Sequence, residues 1–333
     1  MKKVLLLGMG LVASPLLLAA EVDEHLEIIG KYEVEYANVH SAAGNRDGTT
    51  LGIGELGVIV KPNDKVNVMT SWIYEGKVDA ADADKTPFEN DEAYVQFHAL
   101  PDEKLDIIAG KQYLPFGKFD SAMITDPLTL QMGETRKDKA LVVSSKQGKF
   151  SGKVYGFDSD SSNIADGKKF GTGYGAGVGF DGEVFGKPFA AGVDYISNIA
   201  EAGGFADGDV SRKIPAVTYH GTSKWGRVTF NSETMAALKA LEPGDLGGNV
   251  ATSEKPAASR SEVAFDLHND RTIAATWNAT RHAQALGLDK RYAAVVYRQP
   301  IYKDLQGAVE WRESKSYVDE KARTLTVQVA YEF

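Results

Sequence analysis

The stretch Arg323-Thr324-Leu325-Thr326-Val327-Gln328-Val329-Ala330-Tyr331-Glu332-Phe333 alternates apolar and polar side chains and closes on a phenylalanine. A period of two puts Leu325, Val327, Val329, Tyr331 and Phe333 on one face of an extended strand. Thr324, Thr326, Gln328 and Glu332 take the other face, with Ala330 a small apolar interruption. A soluble sandwich and a membrane barrel both accommodate such a stripe. The preceding sequence decides between them, because an export signal followed by many strands of similar length assigns the apolar face to lipid.

Lys2 and Lys3 precede a mainly apolar run from Val4 to Leu18 and then Ala19-Ala20, the layout of a secretory signal peptide. Cleavage after Ala20 is expected, although Leu18 or Leu17 stands at the minus-three position, where a small residue is usual. An uncleaved anchor is disfavoured, since the run is shorter than the roughly 20 residues that span a bilayer. The expected division is a signal peptide, 1–20, and a single barrel domain, 21–333. The 333 residues include no cysteine, which excludes disulfides, thiolate metal sites and a lipid-modified cysteine. Without Lys2 and Lys3 the formal charge moves from -9 to -11, a balance that disfavours nucleic acid as a partner.

About sixteen segments of roughly 9 to 13 residues carry the strand pattern, near the length a tilted strand needs to cross a membrane. The first, Leu26 to Tyr36, sets Leu26, Ile28, Tyr32, Val34 and Tyr36 against Glu27, Lys31, Glu33 and Glu35. Val66, Val68, Trp72 and Tyr74 repeat the stripe, as do Leu305, Val309 and Trp311. Short turns are expected near 62–64, 101–102, 147–148, 182–188, 220–223, 269–270 and 299–300, and long polar connections at 38–49, 77–88, 113–138, 158–169, 198–211, 235–258, 281–289 and 313–322. Regular alternation of short and long connections fits an antiparallel transmembrane β-barrel with periplasmic turns and outer loops, and outer-membrane lipid around it. Sixteen strands leave a water-filled lumen rather than a packed interior. The first strand starts within about six residues of the expected cleavage site, so the sequence offers no N-terminal plug.

The longest connection, Tyr113 to Asp138, follows the fifth strand and is rich in apolar residues: Leu114, Phe116, Met123, Ile124, Leu128, Leu130 and Met132. Water would not stabilise so many, so this third outer loop is expected to fold into the lumen. Gly173, Gly175, Gly177 and Gly179 occupy alternate positions of one strand, a face without side chains that is expected to receive the loop's backbone. A compact surface loop is the alternative.

The text of this region, Gly110-Lys111-Gln112-Tyr113-Leu114-Pro115-Phe116-Gly117, then Ser121, then Thr125-Asp126-Pro127-Leu128-Thr129-Leu130 and Gly133-Glu134-Thr135-Arg136, resembles the LbtU-type siderophore porins of Gram-negative outer membranes. The resemblance covers the whole chain, with Gly110 to Arg136 its distinctive part. It implies a plug-free barrel linked to uptake of ferric siderophores and brings no ligand residues with it. The aromatic end, Tyr331 and Phe333, likewise resembles the signal read by outer-membrane assembly machinery. Pro-Phe-Gly after a barrel strand also occurs in phosphate-selective and other porins.

Alternation turns Glu27, Glu33, Glu35, Glu55, Glu75, Glu92, Asp106, Glu262, Asp266, Glu310 and Glu332 inward, against Lys31, Lys65, Lys153, Arg298 and Arg312. His98 also faces the lumen, as a wall residue rather than an iron ligand. An acidic wall favours cations. The loop, however, sets Lys111, Lys118, Arg136, Lys137 and Lys139 against Asp120, Asp126, Glu134 and Asp138, so local basic residues are expected to draw an anionic ferric siderophore. Tyr113, Phe116 and Phe119 offer apolar contact, and Pro115 and Gly117 belong to the same expected constriction loop.

Other motifs carry little. Gly177-Val178-Gly179-Phe180-Asp181-Gly182 fits a dinucleotide fingerprint but lies within an alternating strand. Asp158 to Asn163 opens like a calcium loop, yet Asn163 stands where glycine is needed and Lys169 where glutamate is. The six histidines lack metal-ligand spacing. No Ser-His-acid spacing points to a catalytic triad, so no enzyme, cofactor or metal is expected. The expected function is passage of small hydrophilic solutes, with ferric siderophores the favoured cargo. A general or phosphate-type porin is the alternative, and a structural barrel or adhesin the alternative of another class. Porins of sixteen strands commonly form trimers, which leaves a homotrimer open, although no face of this sequence marks a subunit interface.

Overall fold

The structure, a computed structural model, describes residues 20–23, 25–42, 44–75, 88–100, 104–159, 173–205, 210 and 212–333. The expected signal peptide apart from Ala20, most of the 77–88 connection and nearly all of the calcium-like 158–169 segment lie outside the described residues.

One antiparallel sheet closes on itself. Strands β2 (Leu26–Ser41) to β17 (Lys321–Glu332) each pair with the next, and β17 pairs back onto β2 from Glu332↔Lys31 to Ala322↔Ser41, making a sixteen-stranded barrel. A short β1 (Ala20–Asp23) adds to the start of β2. Burial in β17 shows which side meets lipid. Leu325, Val327, Val329 and Tyr331 are 39–44% exposed, whereas Thr324, Thr326, Gln328 and Ala330 are 4–7% exposed. A soluble sandwich would bury the apolar face. Here it is turned outward, and the same holds for Val34, Val95, Val178, Phe230, Trp277 and Trp311.

The intervening strands are β3 (Gly44–Asn63), β4 (Val66–Glu75), β5 (Phe88–Leu100), β6 (Leu105–Tyr113), β7 (Arg136–Gln147), β8 (Phe150–Phe157), β9 (Gly173–Val184) and β10 (Lys187–Ile196). Then follow β11 (Ala216–Trp225), β12 (Val228–Ala237), β13 (Ala257–Asp266), β14 (Thr272–Arg281), β15 (Arg291–Tyr302) and β16 (Leu305–Lys315). Short turns gather at the end that holds Leu26 and Phe333, and long connections at the other, which orients the barrel with its turns toward the periplasm.

Three sequence expectations move. Residues 38–49 are not a loop: β2 and β3 stay paired as far as Ser41↔Gly44, because Val39, Thr49 and Thr50 pair as well as their neighbours do. Residues 220–223 lie inside β11, and the turn comes at 226–227, where Gly226 supplies a φ of +63°. Residues 299–300 lie inside β15, which turns at 303–304.

The seam between first and last strands carries its own packing. Gly30 and Phe333 exchange backbone hydrogen bonds of 2.9 and 3.0 Å, and the Phe333 ring covers the glycine so closely that a Cβ there would lie 2.4 Å from Cζ. Gly30→Val is therefore expected to destabilise the folded barrel by about 1–3 kcal/mol. Phe333→Ala in the same chain should return part of that loss, measured by urea unfolding in micelles. Strictly additive losses would show that ring and glycine do not share the space.

Candidate functional site

The third outer loop leaves β6 at Tyr113, enters the lumen and returns at Arg136. Its middle has no ladder to join, so its backbone N–H groups need acceptors from elsewhere. The barrel wall supplies them as carboxylates. Gly117 N–H donates to Asp194 Oδ2 (3.1 Å) and Lys118 N–H to Glu233 Oε1 (2.7 Å). Ala122 N–H and Ser121 Oγ–H donate to the two oxygens of Glu262 (3.0 and 2.6 Å). Ile124 N–H, Thr125 N–H and the Thr125 hydroxyl all donate to Glu310 (2.6, 3.2 and 2.5 Å). Thr129 Oγ–H reaches the second oxygen of Glu233 at 2.9 Å.

Loop carbonyls find their donors on the same wall. Arg298 donates to the carbonyls of Ala122 (2.6 Å) and Met123 (2.9 Å), Tyr292 Oη–H to Asp126 (3.0 Å), and Arg260 to Phe119 (3.2 Å) and Asp120. The short helix α1 (Leu128–Gly133) completes the loop, its first N–H donating to Asn278 Oδ1 at 3.1 Å.

Apolar packing fixes the loop from its other side. Leu114, Phe116, Phe119, Met123, Leu128 and Met132 are buried in one cluster with Tyr155, Phe157 and Met235 of the wall. Two further outer connections close over it, 197–215 through Ile199, Phe205 and Ile214, and 238–256 through Leu241, Leu246 and Val250. The Pro-Phe-Gly text has a local cause. Gly117 has φ +93°, and a Cβ there would lie 2.5 Å from the Phe119 ring and 3.0 Å from Glu233 Oε1.

The glycine row of β9 has a different occupant from the expected one. Tyr155 covers Gly175, Phe157 covers Gly173, and the Lys153–Asp194 ion pair (2.8 Å) covers Gly177. Side chains of neighbouring strands thus lie across the bare face, and the loop packs on them rather than on the glycine backbone. Below the loop, toward the periplasm, remains a cavity of about 330 Å³ whose lining includes Lys118, Lys149, Lys153, Gly179 and Thr222.

Several residues expected to meet cargo are committed elsewhere. Phe116 and Phe119 are 1% and 4% exposed, packed away from the open lumen. Tyr113 donates its hydroxyl to Asp91 (2.9 Å), and Arg136 pairs with Asp91 and with Glu89 (2.6 Å) at the base of the loop. Lys111 donates to the Asn90 carbonyl and lies 3.7 Å from Asp138. Lys118 keeps its ammonium group in the lumen, 3.5 Å from Asp120. Asp126 is exposed and Asp120 half-buried, and Pro115 sits between the buried Leu114 and Phe116. On the wall, Glu33 pairs with Lys31 (2.7 Å) and Glu35 accepts from Gln328 (2.8 Å). Glu92 accepts from Tyr113 N–H (3.4 Å), and His98 bridges Asp106 (2.7 Å) and Asn67 (3.1 Å). Arg312 lies 5.7 Å above the Tyr292 ring. Glu310, expected as open wall, is a loop clamp instead. Asp194, Glu233, Arg260, Asn278 and Tyr292 belong to the same clamp and were not singled out in the sequence, although strand alternation alone turns each of them inward.

The loop's hydrogen bonds run to β10 and β12–β16, so the arc β17, β2, β3 and β4 faces it across the lumen. That arc carries Glu33, Glu35, Glu55 and Glu332 with Lys31 and Lys61. A lipid-facing apolar belt, a sorted set of turns and loops, and a third loop held inside the lumen together define a β-barrel of the outer-membrane porin type.

Comparison with known proteins agrees on the fold. The chain is 28% identical over 300 residues to a UPF0422 protein of Legionella pneumophila, covering 82% of this chain and 56% of that protein. It therefore spans little more than half the length of this relative. No protein-family model matches it. Among solved structures it is similar to the outer-membrane channel DcaP of Acinetobacter baumannii, with a TM-score of 0.66, 13% identity and 92% and 97% of the two chains covered. Salmonella typhi OmpF also superposes with a TM-score of 0.66, at 11% identity, over 95% of this chain and 100% of that one.

Hydrogen bonds to a charged acceptor contribute about 1.5–3 kcal/mol each, so Glu310→Ala, which removes three, is expected to free the loop's middle without unfolding the barrel. Single channels of the variant should be larger or noisier than those of the parent in planar bilayers. Identical conductance and noise would show that Glu310 does not hold the constriction.

Proposed function

We propose that the protein lets small hydrophilic solutes diffuse across the outer membrane, through the opening between the third loop and the β17–β4 arc. The observation that carries this is the division of charge in the lumen. Carboxylates on the loop side are occupied by loop N–H groups, while Glu33, Glu35 and Glu55 line the arc that the loop leaves uncovered. An acidic lining at the open side favours cationic and neutral solutes. Ferric-siderophore uptake is the specific cargo we assign, and its support is the resemblance of Gly110 to Arg136. Lys118 is the loop cation best placed to meet an anionic complex. Trimer formation, and recognition of Tyr331 and Phe333 by the assembly machinery, belong to the same proposal.

In a salt gradient the parent barrel is expected to prefer cations, and Glu33→Gln/Glu35→Gln/Glu55→Gln to move the reversal potential toward zero. A reconstituted barrel that passes no current would overturn the diffusion reading. For the cargo, a deletion strain should lose growth on its own ferric siderophore and keep growth on inorganic iron. Equal growth on both would remove the siderophore assignment and leave the pore.

A further inference from the structure

The outward face of the barrel changes character sharply at its long-loop end. On β15, β16 and β17 the row Val295, Trp311 and Leu325 is apolar and exposed to lipid. Two rows further out, Arg291 stands directly opposite Lys315, and Lys315 directly opposite Lys321. Arg281 ends β14 on the same face, one strand away. Like charges placed opposite each other across strands repel, so three in a row require a counter-charge.

The chain supplies little of one. Asp319 is shared by Lys315 (2.8 Å) and Lys290 (3.9 Å) and at longer range also attracts Arg291, and Glu313, in the row between, is taken by Arg323 (3.0 Å). Among the described residues Arg281, Arg291 and Lys321 make no ion pair, and Asp289 and Glu320 in the adjoining loops make none with them. Arg291 lies 5.6 Å over the ring of Trp277, an exposed residue of the lipid-facing belt. Rings of this kind sit at the membrane–water boundary, which sets the cations at headgroup level.

We infer that Arg281, Arg291, Lys315 and Lys321 form a binding site for a phosphorylated glycolipid of the outer leaflet. Its phosphates would meet the four cations, while its acyl chains would lie on Val295, Val309, Trp311 and Leu325. Position selects a lipid over a soluble anion, because the cations point outward immediately beyond the apolar band rather than into the lumen. The site is independent of conduction.

The test is native mass spectrometry of the folded barrel, released from detergent after incubation with bisphosphorylated lipid A or with the same lipid stripped of phosphate. Each cation near an anionic lipid surface contributes about 1 kcal/mol, so Arg291→Gln/Lys315→Gln/Lys321→Gln should weaken retention of the bisphosphorylated lipid by about tenfold or more. Inorganic pyrophosphate should not displace it. Heat-modifiable gel mobility establishes that the variant is folded, and Lys187→Gln/Arg271→Gln/Lys303→Gln at the periplasmic end should retain the lipid as the parent does. Equal retention by the Arg291 variant, equal binding of the dephosphorylated lipid, or displacement by pyrophosphate would each overturn the assignment.

Discussion

The interior of this barrel is organised by an exchange between two groups that would each be costly alone. Asp194, Glu233, Glu262 and Glu310 are 0–2% exposed on the inner wall, where an ionised carboxylate without partners is strongly disfavoured. The third loop carries backbone N–H groups with no strand to bond to. Each satisfies the other, and the loop takes a path set by the spacing of the acids around the wall. Arg260 and Arg298 do the same for its carbonyls. Apolar packing beneath the loop adds burial, but the polar clamps give it direction, because hydrogen bonds constrain angle as well as distance.

This exchange sets the electrostatics of the lumen. Counting inward-facing charges along the sequence treats Glu262 and Glu310 like Glu33 and Glu35, yet the first pair holds the loop, while Glu33, paired with Lys31, and Glu35, bonded to Gln328, lie on the arc to which the loop makes no hydrogen bond. Phe116 and Phe119, attractive as contacts for an aromatic solute, are instead the packing that seats the loop.

Much of the fold was legible in the sequence, because a strand between lipid and water must alternate and its alternation also states which residues point inward. Residues 323–333 illustrate this: the apolar face read from the sequence is the exposed one in the barrel. The loop's entry into the lumen was legible from its apolar content. Its attachment was not, since Thr125 and Glu310 are 185 positions apart and alternation says only that Glu310 faces inward, never what it meets there. Turn positions failed for a related reason. Around residue 221 the small and polar residues fit a turn locally, but the paired strand carries the chain five residues further to Gly226.

Wall carboxylates hold the loop through its amides. Hydrogen–deuterium exchange of the reconstituted barrel at neutral pH reads those amides directly. The N–H groups of Lys118, Ala122, Ile124 and Thr125 should exchange as slowly as those of the barrel strands, and Glu310→Ala should speed Ile124 and Thr125 before Lys118. Fast exchange at all four positions in the parent protein, at the rate of an unstructured loop, would contradict it.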